Sequence, residues 1–213
     1  ITHQRDMTTV SSSGRVAVEI FFFISGFVIA NSAPTATQLA FAKSRVLRLY
    51  PAVWICAFFT LAAWLAVGTE TTRHLDGELL RSLTLWIFGP WLDGVYWSLA
   101  VELVFYAIIF ALLLSGRFDK LTWAAWALLM ASGLFLVALM FRPGWFNSPL
   151  GWQIVLHADV LQIRYGSFFA LGIWMWLFTM KAIKRTDWIG VALAVVVGVI
   201  EIVQRADEMA ATE

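Results

Sequence analysis

The chain has 213 residues, of which 61% are hydrophobic and 14% charged, and its formal net charge is +1. A soluble domain has about 45–50% apolar and about 25% charged residues, so this composition excludes an ordinary soluble protein and a disordered chain. The small net charge offers no basic surface for nucleic acid, and we expect no such partner. A mean hydropathy of +0.78, with 12 Trp and 17 Phe, is typical of a protein that crosses a bilayer repeatedly.

A helix that spans a membrane needs about 20 mostly apolar residues. The segments that approach this requirement are, in chain order, 16–33, 51–68, 97–114, 121–140, 161–180 and 188–203. We therefore predict an all-α integral membrane protein with about six to seven spanning helices, the extra one ending before Gly14. The prediction treats residues 1–213 as a single membrane domain, truncated at one or both ends because the chain starts at Ile1.

The connections between these segments predict an orientation. Basic residues are more frequent around 34–50, 115–120 and 181–187 than around 69–96 and 141–160. Basic connections stay in the cytoplasm, so the second set faces outward. We expect a multi-pass protein of the plasma (inner) membrane.

Residues 39–50 predict a short amphipathic helix at the cytoplasmic interface, with Pro51 opening the next span. The outward segment 69–96 is predicted as a long loop, because it carries the turn dipeptides Gly-Pro and Asp-Gly. Cys56 lies in an apolar run, where a packing role is expected.

Two carboxylates lie inside apolar segments, where an ionisable group is costly and indicates a functional site. They are Glu19 and Glu102. Ser98, Glu102 and Tyr106 follow each other at intervals of four residues, so they form one polar stripe along a helix. Residue Gly26, four positions before an alanine, predicts a close approach of another helix.

Arg164 and His3 are predicted at a similar depth, so four ionisable side chains would converge in the outer half of the bundle. The alternatives are structural: Glu19 pairs with Arg164 or Arg15, Glu102 packs helices together, and His3 is an interfacial residue. The three histidines lack ligand spacing, and no metal site is expected.

Several strings resemble acyltransferase family 3, a family of integral membrane acyltransferases. The segment 14–29, GRVAVEIFFFISGFVI, is similar to the family's G-V-D-L-F-F-V-x-S-G-F helix, with Glu19 in place of the commoner Asp. Segment 45–51, RVLRLYP, resembles R-x-x-R followed by an aromatic residue and proline, and 96–106, YWSLAVELVFY, resembles W-S-L-x-x-E-x-x-F-Y. Segment 168–173 resembles the later F-x-x-G stretch.

The resemblance implies transfer of an acyl group, commonly acetyl, from cytoplasmic acyl-CoA to a hydroxyl of a sugar, polysaccharide or glycolipid. It places His3 in the role of general base, with Glu19 or Glu102 orienting the imidazole. The arginines Arg45 and Arg48 would bind the phosphates of acetyl-CoA.

The acceptor is expected to contact Ser98, Tyr106 and Arg164. A different class of protein is also compatible with these residues: a proton-coupled transporter or flippase that uses the buried charges as a relay. A purely structural membrane subunit is the third possibility, and it predicts that Glu19→Gln and Glu102→Gln leave function intact.

Overall fold

The structure is a computed structural model that describes residues 2–67, 72–88, 90–141, 161 and 163–210. Side chains are described from residue 17 to residue 204 within these ranges, apart from residues 72–75. This part of the chain is helical throughout its regular elements, which are α1 Thr2–Ser32, α2 Gln38–Val67, α3 Thr72–Thr84, α4 Tyr96–Leu114, a 3₁₀ turn Phe118–Lys120, α5 Leu121–Phe141, α6 Gly166–Thr179 and α7 Arg185–Ala210.

Four helices of the described chain are long and apolar enough to cross a bilayer, namely α2, α4, α5 with its 3₁₀ turn, and α7. The apolar parts of α1, Ala17–Ser32, and of α6, Gly166–Thr179, are shorter. The 14 residues of α6 rise only about 21 Å, against a hydrocarbon core of about 30 Å. The predicted all-helical architecture agrees with the structure, whereas six to seven spans are not confirmed.

The predicted break between residues 50 and 51 is wrong, because α2 runs unbroken through Pro51. Proline removes one backbone donor, but a membrane helix tolerates that loss when neighbouring groups compensate. The 30 residues of α2 rise about 45 Å. The segment 39–50 is therefore the first part of a long helix and not a separate interfacial one.

The predicted outer loop also contains a helix, α3, which packs along α2. The Tyr50 hydroxyl donates a hydrogen bond to the carbonyl of Thr84 (3.2 Å), and the Trp54 indole donates one to the carbonyl of Leu83 (3.1 Å). These two aromatic side chains hold the end of α3 against the middle of α2.

Helices α2 and α4 run antiparallel. The Gln38 amide donates to the carbonyl of Leu113 at 3.4 Å, and the Tyr96 hydroxyl donates to the carbonyl of Val53 at 3.4 Å. Arg45 lies midway between these two contacts along α2, and its guanidinium faces Tyr106. The arginine is thus placed beside the middle of α4, well away from the ends of that helix.

Helices α1 and α6 cross in backbone contact. A Cβ atom on Gly172 would overlap the carbonyl oxygen of Phe23 and would lie 2.9 Å from the Cα of Gly26. A Cβ atom on Gly26 would lie 2.5 Å from the carbonyl oxygen of Phe169. The close helix approach predicted at Gly26 is therefore confirmed, and it requires glycine on both helices.

Aromatic rings from α1, α4 and α6, together with Tyr165 just before α6, pack next to this crossing. The Phe169 ring centre lies 4.4 Å from that of Phe105 and 5.0 Å from that of Phe22. Tyr165 contacts both Phe22, at 5.2 Å, and Trp97, at 5.3 Å. This packing fixes α4 relative to α1 and thereby positions Glu102.

We expect Gly172→Ala to lower the free energy of unfolding by about 1–3 kcal/mol, because the added methyl group overlaps backbone that has little room to move. Thermal unfolding in detergent measures the change. The matched control is Gly133→Ala in α5, where the nearest atom to the new Cβ lies at 3.8 Å. That control is expected to be neutral or stabilising by up to about 1 kcal/mol, because alanine favours the helix. Equal effects of the two substitutions would contradict the crossing.

Candidate functional site

The Glu102 carboxylate is 2% exposed and lies between α1 and α4. Its Oε1 atom accepts a hydrogen bond from the Tyr106 hydroxyl at 2.7 Å and another from the Ser25 hydroxyl at 3.0 Å. Two donors on one oxygen suit an acceptor that is ionised. The third residue of the predicted polar stripe behaves differently, since the Ser98 hydroxyl donates to the carbonyl of Val95 at 3.0 Å.

Arg45 is buried on α2, with 8% of its surface exposed. Its Nη2 atom donates a hydrogen bond to the Ser32 hydroxyl on α1. The guanidinium carbon also lies 5.1 Å from the ring centre of Phe41 and 5.5 Å from that of Tyr106. Such cation–π contacts strengthen when the groups are shielded from water.

These contacts form a closed polar circuit across three helices. It runs from Ser32 through Arg45 and the Tyr106 ring to Glu102, and returns to α1 at Ser25. The two serines are seven residues apart and hence on the same face of α1. We call these five residues the polar circuit. It ties α1, α2 and α4 together with both a carboxylate and a guanidinium in the interior.

The predicted arginine pair faces two different cavities. Arg45 borders a cavity of 190 Å³ between α2 and α4, whereas the exposed Arg48 borders a cavity of 440 Å³ near the start of α4. Asp93 and Tyr96 line the larger cavity. Cys56 lines it too and is exposed, so its predicted packing role is wrong.

Arg164 forms an ion pair with Glu201 of α7. The two atoms Nε and Oε1 are 2.5 Å apart, and the side chains are 2% and 0% exposed. Glu201 is not among the residues predicted for the site, although the sequence carries the signal, which is a carboxylate inside the last apolar segment.

Glu19 is also buried, with 6% of its surface exposed. It lines a cavity of 200 Å³ together with Phe168 of α6 and Ile202 of α7. Ile202 is next to Glu201 in the chain, so this cavity borders the part of α7 that carries the partner of Arg164. Among the residues that the structure describes, Glu102 forms its hydrogen bonds with Ser25 and Tyr106. The predicted convergence is therefore divided, because Glu102 belongs to the polar circuit and Arg164 to the ion pair with Glu201.

His3 falls within the bounds of α1, but its side chain lies outside the described residues, as does that of Arg15. The predicted meeting of His3 with a carboxylate therefore stays a prediction.

The sequence of the chain is similar to a known protein family. Residues 2–204 match the family model of acyltransferase family 3, described as an acyltransferase domain. The chain is 27% identical over 196 residues to nodulation protein 10 of Rhizobium leguminosarum bv. viciae, a match that covers 80% of this chain and 48% of that protein. The chain thus spans about half the length of this curated relative. No solved structure matches it.

The substitution Tyr106→Phe tests the polar circuit. It removes one of the two donors to Glu102, and we expect a loss of about 1.5–3 kcal/mol in unfolding free energy, as for hydrogen bonds to charged groups. Tyr50→Phe is the matched control, because it deletes an exposed hydroxyl bond at 3.2 Å to a neutral carbonyl. Chemical unfolding in detergent should give the control a loss of about 1 kcal/mol or less. A smaller loss for Tyr106→Phe than for Tyr50→Phe would refute the circuit.

The ion pair of Arg164 and Glu201 gives a second prediction. Glu201→Leu leaves a buried guanidinium without its carboxylate, and we expect a loss of about 3–5 kcal/mol. The double variant Arg164→Met/Glu201→Leu removes both charges and is expected to be more stable than Glu201→Leu alone. A thermodynamic cycle that adds the single variant Arg164→Met measures this coupling, and strictly additive losses would show that the pair contributes nothing.

Proposed function

Since this chain belongs to acyltransferase family 3, we propose that it is a membrane enzyme that moves an acyl group from cytoplasmic acyl-CoA to a hydroxyl. The proposed acyl group is acetyl, and the proposed acceptor is a sugar, polysaccharide or glycolipid. The observation that carries this proposal is the polar circuit, in which the Tyr106 side chain links the Glu102 carboxylate to the buried Arg45. We further propose that the enzyme resides in the plasma (inner) membrane.

The donor site is proposed at Arg45 and Arg48. Acyl-CoA supplies an activated thioester and several phosphates when bound. Arg48 is exposed on α2, and its planar guanidinium suits phosphate oxygens. Arg45 supports the fit in another way, because its buried Nε has no hydrogen-bond partner among the described residues. A ligand that offers an acceptor would satisfy it.

His3 is proposed as the general base. It takes the proton of the acceptor hydroxyl while the hydroxyl oxygen bonds to the acyl carbon, and it returns that proton to sulfur as the carbon–sulfur bond breaks. Glu102 or Glu19 would orient the imidazole and stabilise its charged form. Glu102 is suited to this role because two hydroxyl donors already fix its Oε1 atom.

We propose that the acceptor binds beside Ser98, Tyr106 and Arg164. The last two already donate to carboxylates, so each would act on the acceptor from a fixed position. The transporter alternative gains no support from the family match.

The test is transfer of labelled acetyl from acetyl-CoA by the chain in membranes. We expect His3→Ala to slow transfer by about 10²–10⁴-fold, the usual contribution of a general base. Glu102→Gln should lower kcat, and Arg48→Ala should raise KM for acetyl-CoA.

Two control variants test whether a loss of transfer is specific to these residues and not a result of lower expression or of a changed charge. Arg117→Ala removes an exposed basic residue after α4, and His74→Ala removes another histidine. Both controls should keep wild-type turnover. Wild-type protein that is folded yet transfers no acetyl, with any of the acceptor classes, would remove the proposal and reopen the transporter alternative.

A further inference from the structure

The 440 Å³ cavity between α2 and α4 is elongated along the two helices. On α2 its lining extends from Arg48 to Thr60, a rise of about 18 Å. The Tyr96 hydroxyl contacts the carbonyl of Val53, so the part of α2 after Val53 lies level with the start of α4 and beyond it. The cavity therefore runs from the middle of the helix pair to the end that the basic connections predict to face outward.

The walls of this cavity are mainly apolar. The apolar side chains that form them include Leu49, Val53, Ile55, Phe59, Val95 and Leu99. Three of these, Ile55, Phe59 and Val95, are largely exposed, so the cavity opens sideways at the surface of the helix pair. Both helices are long and apolar enough to cross a bilayer. A hydrocarbon chain suits such a wall, whereas a polysaccharide would lose hydrogen bonds to water there.

Polar groups lie at the outer end of the same cavity. Asp93 precedes α4, and Thr60 ends the lining on α2. The Asp93 Oδ1 atom accepts a hydrogen bond from the backbone N–H of Val95 at 3.2 Å, which fixes this exposed carboxylate beside the start of α4. A carboxylate accepts strong hydrogen bonds from hydroxyls and repels anions. This end therefore suits a neutral head group that is rich in hydroxyls.

We propose that this cavity binds the hydrocarbon tail of a glycolipid acceptor, and we call it the lipid cavity. The tail lies along Val53 and Phe59, and hydroxyls of the sugar head donate to Asp93. This inference rests on the proposed acyltransferase function and deepens it, because it selects the glycolipid among the three proposed acceptor classes. Ser98, a proposed contact of the acceptor, is in the first turn of α4 and thus at the same end as Asp93.

The charges of the lining favour a neutral glycolipid over an anionic phospholipid. The phosphate of a phospholipid in the outer leaflet would lie at the outer end of the cavity, beside the carboxylate of Asp93. Arg48, the cation among the described lining residues, is about 18 Å away along α2. Like charges placed together act against the wrong partner, and a sugar carries no such charge.

The size of the lipid cavity suits one tail. A volume of 440 Å³ corresponds to about fifteen groups of the size of a water molecule, at about 30 Å³ each. One hydrocarbon chain of that order fills the space. A second chain of the same lipid would remain in the surrounding bilayer.

The thiol of Cys56 tests the proposal, because it lines the lipid cavity and is the one cysteine of the chain. Its modification by N-ethylmaleimide is followed by mass spectrometry in nanodiscs of phosphatidylcholine, alone or mixed with a monoglucosyl diacylglycerol or with phosphatidylglycerol. We expect the glycolipid to slow the modification by about tenfold, as for a site that is about nine-tenths occupied, and phosphatidylglycerol to have little effect. Equal rates in the three membranes, or protection by phosphatidylglycerol instead, would overturn the proposal.

A cavity-filling substitution tests whether the protection arises in the cavity. Ala52→Phe places a ring in the lipid cavity, whereas Ala66→Phe places the same ring about four turns further along α2, outside the lining. The readout is the ratio of the rates without and with glycolipid. It should fall to about one for Ala52→Phe and stay near tenfold for Ala66→Phe. If Ala52→Phe does not fold, Ala52→Leu narrows the same cavity and is judged by the same ratio.

Two further comparisons test the head group and the reagent. Asp93→Asn keeps the oxygen that Val95 contacts but removes the charge, so phosphatidylglycerol should then protect Cys56 as well. Asp119→Asn, at the other end of α4, should not have this effect. The double variant Cys56→Ser/Val196→Cys moves the thiol to an exposed position on α7, where we expect equal rates in all membranes. Protection of that thiol too would overturn the assignment to the cavity.

The outcomes distinguish this inference from the proposed function. Labelled acetyl is transferred from acetyl-CoA in the same nanodiscs. A protein that transfers acetyl, but whose Cys56 the glycolipid does not protect, overturns the lipid cavity alone. A protein that binds the glycolipid in the cavity, yet transfers no acyl group to any acceptor class, contradicts the proposed function and keeps the lipid site.

Discussion

A carboxylate inside an apolar bundle must be surrounded by donors, and the arrangement of α1, α2 and α4 follows from meeting that requirement for Glu102. Tyr106 reaches it from one turn along α4, and Ser25 reaches it from α1. The guanidinium of Arg45 packs against the ring of Tyr106, so a negative and a positive group share the interior without direct contact. The two charges are therefore linked through the Tyr106 side chain, unlike those of Arg164 and Glu201, which form a direct ion pair.

The glycine crossing of α1 and α6 gives the polar circuit its rigid support. Backbone contact at Gly26 lies next to Ser25, so the serine that binds Glu102 is held on the part of α1 with the least freedom to shift. Aromatic rings from α4 and α6 pack on the same region of α1. The site therefore combines one stiff helix pair with a third helix, α2, whose other faces are mostly exposed.

Local sequence rules predicted the features that depend on neighbours along one helix. The contact of Glu102 with Tyr106 follows from a spacing of four residues, and the close approach at Gly26 follows from small residues. Contacts between helices were beyond those rules, because nothing in a single sequence pairs Arg45 with Ser32 or Arg164 with Glu201.

The predicted helix boundaries failed for a physical reason as well. The rule that proline opens a helix describes water-soluble chains, and α2 continues through Pro51 as membrane helices can. The predicted loop before α4 was identified by its turn dipeptides, and the Asp-Gly pair does lie just before α4 begins. The helix that precedes it, α3, packs against α2 through aromatic side chains. The spacing of apolar residues alone does not distinguish a membrane-spanning helix from a helix that packs along another one, as α3 does.

The length of α2 has a consequence for the surrounding lipid. A helix of about 45 Å fits a core of about 30 Å by tilt alone only at about 48°, beyond the usual range of about 0–40°. Part of α2 must therefore project from the hydrocarbon, or the lipid must thicken around it. Thickening of the lipid is a hydrophobic mismatch, whose cost changes with bilayer thickness, whereas projection of the helix end is not. Because Arg45 and Arg48 lie on α2, the part of this helix that leaves the hydrocarbon decides the depth at which both arginines lie in the bilayer.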